Sequence, residues 1–141
     1  KIRENAAEAQ KVEGASIKHD ISVPVSRIAE FYGRAHAAAL AIEPNLRLIG
    51  FGHVGDGNLH YNMQRPMGGD NDAFLAKKTE INRAVHDVVV EMDGSISAEH
   101  GIGRLKRDEL AHYKSPIELA VMRKLKAAID PHGIMNPGVL L

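Results

Sequence analysis

The spacing of hydrophobic residues along the chain predicts an alternation of helices and short strands. Ile17, Ile21 and Val23 share parity, which is typical of a strand, and this pattern covers residues 15–23. Apolar residues recur at steps of three and four over residues 25–43, which predicts an amphipathic helix. The remaining segments are assigned in the same way: a helix over residues 1–13, strands at 46–51, 59–63 and 95–97, a long helix with one face running from Phe74 to Met92, a polar helix at 104–112 and a final helix at 115–129.

The order of these elements predicts an α+β fold. After the first helix it reads strand, helix, strand, strand, helix, strand and then helices, which is the split βαβ pattern of the ferredoxin-like fold. We therefore expect an antiparallel sheet with helices on one face, followed by C-terminal helices. Because the 141 residues contain no internal repeat and no long linker, we expect one domain.

Composition excludes several classes of protein. Hydrophobic residues make up 44% of the chain and charged residues 26%, which excludes a disordered or low-complexity segment. Lys plus Arg and Asp plus Glu both total 18, so no basic excess is available for a nucleic acid partner. The lack of Cys excludes disulfides and thiolate metal sites. The sequence contains neither an apolar run of ~18 residues, which a membrane span needs, nor the leader of a signal peptide. We therefore expect a cytoplasmic location.

One glycine-rich motif suggests dinucleotide binding but lies in the wrong context. GFGHVG at residues 50–55 matches the pattern GxGxxG and follows a predicted strand. In dinucleotide sites a helix begins directly behind the motif and receives the pyrophosphate at its N-terminus. Here DGNLHYN continues as a turn and a strand, so the sequence argues against this function.

Histidine and glutamate residues at the ends of predicted strands suggest a metal site. His53 and His60 bracket the turn VGDGNL, so a tight reversal could bring both imidazoles to one point. Two histidines alone are more often surface residues, because metal sites need three or more protein ligands. Glu99 and His100 supply a carboxylate and a third imidazole on another loop. Two imidazoles and a carboxylate would suit a divalent ion, Zn²⁺ first, with Fe²⁺ and Mn²⁺ as alternatives.

Three multi-residue motifs together resemble one known family. GFGHVGDGNLHYN, GSISAEHGIGRLK and DPHGIMNPG occur in the order found in the C-terminal domain of FAD-linked oxidases of the vanillyl-alcohol oxidase superfamily. The chain looks most like D-2-hydroxyacid dehydrogenases, which include D-lactate and D-2-hydroxyglutarate dehydrogenases and glycolate oxidase subunits. Asn62 and Ala98 resemble the 2-hydroxyglutarate branch. Ala7, often Thr in that branch, and Val139, where many members have Lys, depart from the pattern.

The resemblance implies a function and a set of site residues. It implies that residues 1–141 form the substrate- and metal-binding C-terminal domain of an FAD-dependent enzyme that oxidises a 2-hydroxy acid, such as D-2-hydroxyglutarate or D-lactate, to the 2-oxo acid. The FAD-binding domain would be a partner outside this chain, which alone would be inactive, and an electron acceptor and a homodimer are further expected partners. The implied residues are the metal ligands His53, His60 and Glu99, the catalytic base His100, the substrate contacts Arg3, Lys18 and Asn62, and Asn136 near the flavin.

Two other functions remain open on the sequence. The first is a stand-alone ferredoxin-like module for binding or dimerisation, in which the glycine turns only shape loops, because a fold does not imply a function. The second is a cofactor-free metallohydrolase that uses the same three ligands. Catalysis by the isolated chain would favour the hydrolase, whereas a metal-free protein that forms a specific complex would favour the module.

Overall fold

The chain folds into helices joined to short antiparallel strands, which confirms the α+β class. The structure is a computed structural model that describes residues 2–141, apart from the side chains of residues 2–4, 6 and 7. These residues form two compact units, of which the first ends at Glu99 and the second begins at His100. The elements of the first unit are α1 (Ile2–Val12), β1 (Ser16–Ile17), β2 (Asp20–Ser22), a 3₁₀ turn (Val25–Arg27), α2 (Ile28–Ile42), β3 (Arg47–His53), a second 3₁₀ turn (Val54–Asp56), β4 (Asn58–Gln64), α3 (Asn71–Ala76) and α4 (Lys78–Glu91).

Strand β4 lies in the middle of a four-stranded sheet. β3 pairs with it along one edge, and β1 and β2 pair with it along the other edge, all antiparallel. The strand predicted over residues 15–23 is present as β1 and β2, which keep one register on both sides of a short interruption. The last predicted strand is reduced to a bridge between Ser22 and Ser95. If the four predicted strands are numbered in chain order (15–23, 46–51, 59–63 and 95–97), their order across the sheet is fourth, first, third, second. This order agrees with the ferredoxin-like pattern.

The core of the first unit lies between one face of the sheet and helices α2 and α4. Leu59, Tyr61 and Met63 alternate along β4 toward this face, and all three are buried. The Tyr61 ring meets the rings of Phe31 and Tyr32 edge to face, with centroids 5.0 and 5.2 Å apart. Its hydroxyl donates a hydrogen bond of 2.7 Å to the Tyr32 carbonyl oxygen, so the one polar atom of this buried ring is satisfied.

Two histidines belong to this core. His19 Nδ1 donates to the Tyr61 carbonyl oxygen over 2.7 Å, and the His19 ring packs edge to face on His86 of α4 with centroids 5.6 Å apart. Both residues are buried. His19 is a polar residue in the alternating apolar series of its strand. Its side chain nevertheless lies on the buried face, as its place in that alternation requires.

The opposite face of β4 is polar. Asn58, His60, Asn62 and Gln64 alternate with the core residues. Helix α1 covers one end of this face, where the Asn62 amide donates to the Gln10 side-chain oxygen over 2.9 Å and the Gln64 amide donates to the Gln10 carbonyl oxygen over 3.2 Å. At the other end of this face, Asn58 and His60 lie beside Glu99, the last residue of the first unit.

The single long helix predicted from Phe74 to Met92 is wrong, because the chain forms α3 and α4 with a break at Lys77. The Lys77 ammonium donates to the Glu43 carboxylate over 2.8 Å and to the Ile42 carbonyl oxygen over 3.4 Å. It therefore neutralises the C-terminal end of α2, and this contact lowers the pKa of Glu43. The interaction is tertiary, and the periodicity of the helix does not encode it.

The turn between β3 and β4 requires glycine at one position. Gly57 has a φ of 73°, in the left-handed region, and a Cβ there would lie 2.1 Å from the Val23 carbonyl oxygen. The Val23 amide donates to the Gly57 carbonyl oxygen over 3.1 Å, which holds the turn against the end of β2. Gly55 in the same turn has open space around it.

The second unit contains two helices and a terminal turn, as predicted. Its helices are α5 (Arg107–Tyr113) and α6 (Pro116–Ile129). The Ser115 side chain accepts from the Glu118 amide over 3.2 Å and the Glu118 side chain accepts from the Ser115 amide over 3.2 Å, so the predicted capping box is confirmed.

Asp130 organises the turn that follows α6. Its buried carboxylate accepts from the backbone amides of Ile134 and Met135 over 3.0 and 2.9 Å and from the Lys126 ammonium. The Lys126 hydrogen bond, together with the two amides, lowers the pKa of Asp130 even though its burial acts in the opposite direction.

We expect Gly57→Ala to destabilise the first unit and Gly55→Ala to leave it nearly unchanged. The first substitution forces a side chain into a left-handed backbone and against the Val23 carbonyl oxygen, so the free energy of unfolding should fall by roughly 1–3 kcal/mol. The second should change it by less than about 1 kcal/mol. Urea unfolding followed by circular dichroism measures both, and equal effects would contradict this account of the turn.

We expect the terminal turn to loosen in acid. Because the folded pKa of Asp130 lies below its ordinary value of 3.8, its contribution to stability is complete above that value and disappears as the pH falls through the folded pKa. The protection of the Ile134 and Met135 amides against hydrogen exchange, relative to the intrinsic rate at each pH, should fall over this range, and Asp130→Asn should lower it at neutral pH. Asp108→Asn, at an exposed acid of the same unit, is the control. Unchanged exchange in Asp130→Asn would show that the carboxylate does not hold the turn.

Candidate functional site

Two histidines meet at the polar end of the sheet. His53 ends β3 and lies opposite Asn58 in the register, while His60 lies opposite Phe51 on the same pair of strands. The Phe51 and His60 rings are in contact, with centroids 5.1 Å apart, which confirms that alternate residues of both strands share this face. The predicted reversal between the two histidines is therefore present, built from the 3₁₀ turn and Gly57.

The carboxylate of Glu99 lies between the two imidazoles. His53 Nδ1 is 2.9 Å from Glu99 Oε1, and His60 Nε2 is 3.7 Å from Glu99 Oε2. Each oxygen thus faces one ring nitrogen. The side chains of His53, His60 and Glu99 are 50%, 19% and 41% exposed, so the group is open to solvent on one side.

These three side chains are chemically suited to hold a divalent ion. Ligand atoms bound at ~2.0–2.2 Å to one tetrahedral ion lie about 3.4 Å apart, and the two nitrogen-to-oxygen distances lie on either side of this value. Two imidazoles and a carboxylate are donors that divalent ions commonly bind, and the ligand roles stay a prediction.

Asn58 belongs to the site and was not singled out from the sequence. Its amide donates a short hydrogen bond to Glu99 Oε1 and lies 3.4 Å from His53 Nδ1. The residue is buried at the start of β4. Its position two residues before His60 was the available signal, because residues two apart in a strand share a face.

Asp20 is a second site residue that sequence reasoning missed. Its carboxylate accepts from the Glu99 amide, at 3.1 Å to Oδ2 and 3.3 Å to Oδ1, and lies 4.0 Å from His60 Nδ1. β2 holds Asp20 opposite His60 in the register. The only signal in the sequence was an acidic residue at a strand position whose side chain alternation directs away from the core.

The predicted substrate contacts have different environments. Asn62 is buried and its amide binds Gln10, so the prediction that it contacts substrate stays untested. Lys18 is exposed between β1 and β2. The Arg3 and Ala7 side chains lie outside the described residues, and the substrate role of Arg3 also stays a prediction.

Two predicted residues lie in the second unit. His100 directly follows Glu99 in the chain and is exposed, and its role as a base stays a prediction. Asn136 lies in the terminal turn with a φ of 46° and lines a cavity of about 430 Å³ between this turn and α6. Its predicted approach to a flavin is likewise untested.

Two of the three glycines of GFGHVG, Gly50 and Gly52, allow close packing within the sheet. A Cβ at Gly50 would lie 2.8 Å from the Tyr32 ring, and a Cβ at Gly52 would lie 2.3 Å from the Asn58 carbonyl oxygen. As predicted, the motif is followed by a turn and strand β4, not by the helix that a dinucleotide site uses. None of the helices in the described part of the chain combines the length and apolarity of a membrane-spanning helix.

Comparison with known proteins gives a consistent result. The chain is 45% identical over 121 residues to D-2-hydroxyglutarate dehydrogenase of Stutzerimonas stutzeri, which covers 86% of this chain and 26% of that protein. It is 40% identical over 138 residues to the mitochondrial D-2-hydroxyglutarate dehydrogenase of Danio rerio, which covers 96% of this chain and 24% of that protein. The chain thus spans about a quarter of the length of these curated relatives. Residues 1–140 match the family model of FAD linked oxidases, C-terminal domain, and the chain belongs to that family.

Proposed function

We propose that this chain is the substrate- and metal-binding part of an FAD-dependent dehydrogenase that oxidises a D-2-hydroxy acid to the 2-oxo acid. The observation that carries the proposal is the Glu99 carboxylate between His53 and His60, in a member of the FAD linked oxidase family. Several relatives are named D-2-hydroxyglutarate dehydrogenase, so D-2-hydroxyglutarate is the first substrate to test. A D-lactate-like acid is the alternative.

The proposed metal ligands are His53, His60 and Glu99, and the proposed ion is Zn²⁺. A divalent ion held there would act as a Lewis acid that binds oxygen atoms of the substrate and lowers the pKa of its hydroxyl group. Asn58 supports this role because its amide holds the Glu99 carboxylate in position. The open side of the group leaves room for a small hydroxy acid.

We propose the remaining roles for four further residues. We assign to His100 the removal of the hydroxyl proton, since it follows the ligand Glu99 in the chain and carries an imidazole that can act as a base near neutral pH. Lys18 and Arg3 would hold the negative charge of the substrate carboxylates, and Asn62 would donate a hydrogen bond to the substrate. Such contacts would favour a dicarboxylate over a monocarboxylate.

The flavin belongs to another part of the protein in this proposal. FAD would accept the hydride from C2 of the substrate, and Asn136 is the residue of this chain assigned to approach it. The chain alone should then bind metal and substrate without oxidising it, and an electron acceptor is needed to reoxidise the flavin. We propose a cytoplasmic location for this protein, and note that several eukaryotic relatives are named mitochondrial. A homodimer remains the proposed assembly.

We expect the full-length protein to bind about one equivalent of divalent metal through the three ligands. His53→Ala, His60→Ala and Glu99→Gln should each lose most of it, because a site of three protein ligands retains little affinity with two. Metal analysis after chelation and reconstitution measures the content, with His132→Ala and Glu80→Gln as controls at exposed positions. Full metal content in all three ligand variants would overturn the metal site. Ester or phosphate hydrolysis by the metal-loaded chain without flavin would support a hydrolase instead.

We expect His100→Ala to lower the rate of flavin reduction while the metal stays bound. General-base catalysis typically contributes ~10²–10⁴-fold, so the loss should be of that size. Stopped-flow reduction of the flavin by a panel of D-2-hydroxy acids measures the rate in the full-length protein, with His112→Ala as the control for an exposed imidazole. An unchanged rate with full metal content would remove His100 from this role.

A further inference from the structure

Asp20 is a buried acid beside His60 and Glu99 of the candidate site. It is 4% exposed and lies in β2, opposite His60 in the register. Burial of a carboxylate costs free energy unless hydrogen bonds or charges compensate. A charged residue at this position therefore needs a reason beyond the packing of a strand, and its neighbours supply two.

The first neighbour is the loop that carries Glu99. The Ala98 amide donates to the Asp20 carbonyl oxygen over 3.2 Å, and the Glu99 amide donates to the Asp20 carboxylate over 3.1 Å. The Ser97 hydroxyl donates to the same carboxylate over 3.4 Å. Three consecutive residues of the loop are thus bound to one residue of β2, which fixes the position from which the Glu99 side chain reaches the two imidazoles.

The second neighbour is the His60 ring, whose Nδ1 side, away from Glu99, faces Asp20. His60 Nε2 faces Glu99 Oε2 at 3.7 Å, while His60 Nδ1 faces Asp20 Oδ1 at 4.0 Å. The second distance is longer than a hydrogen bond, but a buried negative charge there still favours the tautomer with the proton on Nδ1. The lone pair of Nε2 then points toward Glu99. Metal-binding histidines commonly have a carboxylate on their second nitrogen, and it orients the ring and fixes the tautomer.

We infer that Asp20 is the positioning residue of the metal centre: it sets the Glu99 loop through backbone hydrogen bonds and sets the His60 tautomer through its charge. The inference rests on the metal site proposed above. Asp20 does not need to touch the ion, because it acts on two of the three ligands at once. The charge of Asp20 acts on His60, whereas its hydrogen bonds act on the Glu99 loop. Substitutions that remove the charge but keep a hydrogen-bond acceptor can therefore separate the two roles.

The test compares Asp20→Asn, Asp20→Ala and Asp20→Glu in the full-length protein, with Asp72→Asn, at an exposed acid of α3, as the matched control. Three quantities are measured: the Zn²⁺ dissociation constant by competition with a chromophoric chelator, the visible spectrum of the protein saturated with Co²⁺, and the unfolding midpoint of the metal-free protein. Glu99→Gln and His53→Ala serve as reference variants for the metal site itself.

We expect Asp20→Asn to weaken Zn²⁺ binding by ~10–100-fold and to change the Co²⁺ spectrum, as is typical when the outer partner of a ligand is removed. Its metal-free unfolding midpoint should stay near that of the wild type, because the Asn side-chain oxygen still accepts from the Glu99 amide. Asp20→Ala should weaken binding further, Asp20→Glu should recover part of the affinity, and Asp72→Asn should match the wild type.

Different failures have different meanings. If Glu99→Gln and His53→Ala weaken binding but Asp20→Asn binds Zn²⁺ like the wild type with an unchanged Co²⁺ spectrum, the positioning role is overturned and the metal site stands. An Asp20→Asn protein that does not fold without metal would make the residue purely structural and would also overturn the inference. If the reference variants bind Zn²⁺ normally, the proposed metal site fails, and the inference fails with it.

Discussion

The pairing of β4 with strands on both of its edges is the constraint on which the first unit depends. Because side chains alternate across a strand, this single register sends Leu59, Tyr61 and Met63 into the core and sends Asn58 and His60 to the opposite face. A slip of one residue would exchange the two sets and would bury the polar side chains against α2 and α4. The same hydrogen bonds therefore build the core and assemble the candidate site.

The loop that carries Glu99 reaches the sheet through a close backbone contact. Gly94 follows α4, and a Cβ there would lie 2.3 Å from the Ser22 carbonyl oxygen, so only glycine lets the chain approach β2. The bridge between Ser22 and Ser95 begins at this point, and Asp20 then binds the loop up to Glu99. A residue 46 positions beyond His53 is in this way brought within 2.9 Å of it. The geometry of the site is thus set by backbone contacts on β2 and not by the flexibility of a free loop.

The site combines solvent exposure with rigid support, as expected for a place where a small molecule binds. His53 and Glu99 are open to solvent, whereas Asn58 and Asp20, which hold Glu99, are buried. Functional side chains held by buried hydrogen-bonding partners keep their geometry without paying for ordering when a ligand arrives. The chain spans about a quarter of the length of its curated relatives.

The sequence by itself determined the α+β class, the order of the strands and the reversal that brings His53 and His60 to one end of the sheet, because parity and turn residues are local signals that survive folding. It also determined the capping box of α6, for the same reason. Only the tertiary structure decided the break at Lys77 and the burial of Asn62 against Gln10. It likewise revealed the parts that Asn58 and Asp20 take in holding Glu99. These features depend on which strand or helix becomes a neighbour, and hydrogen bonds between residues more than 30 positions apart leave no periodic trace in the chain.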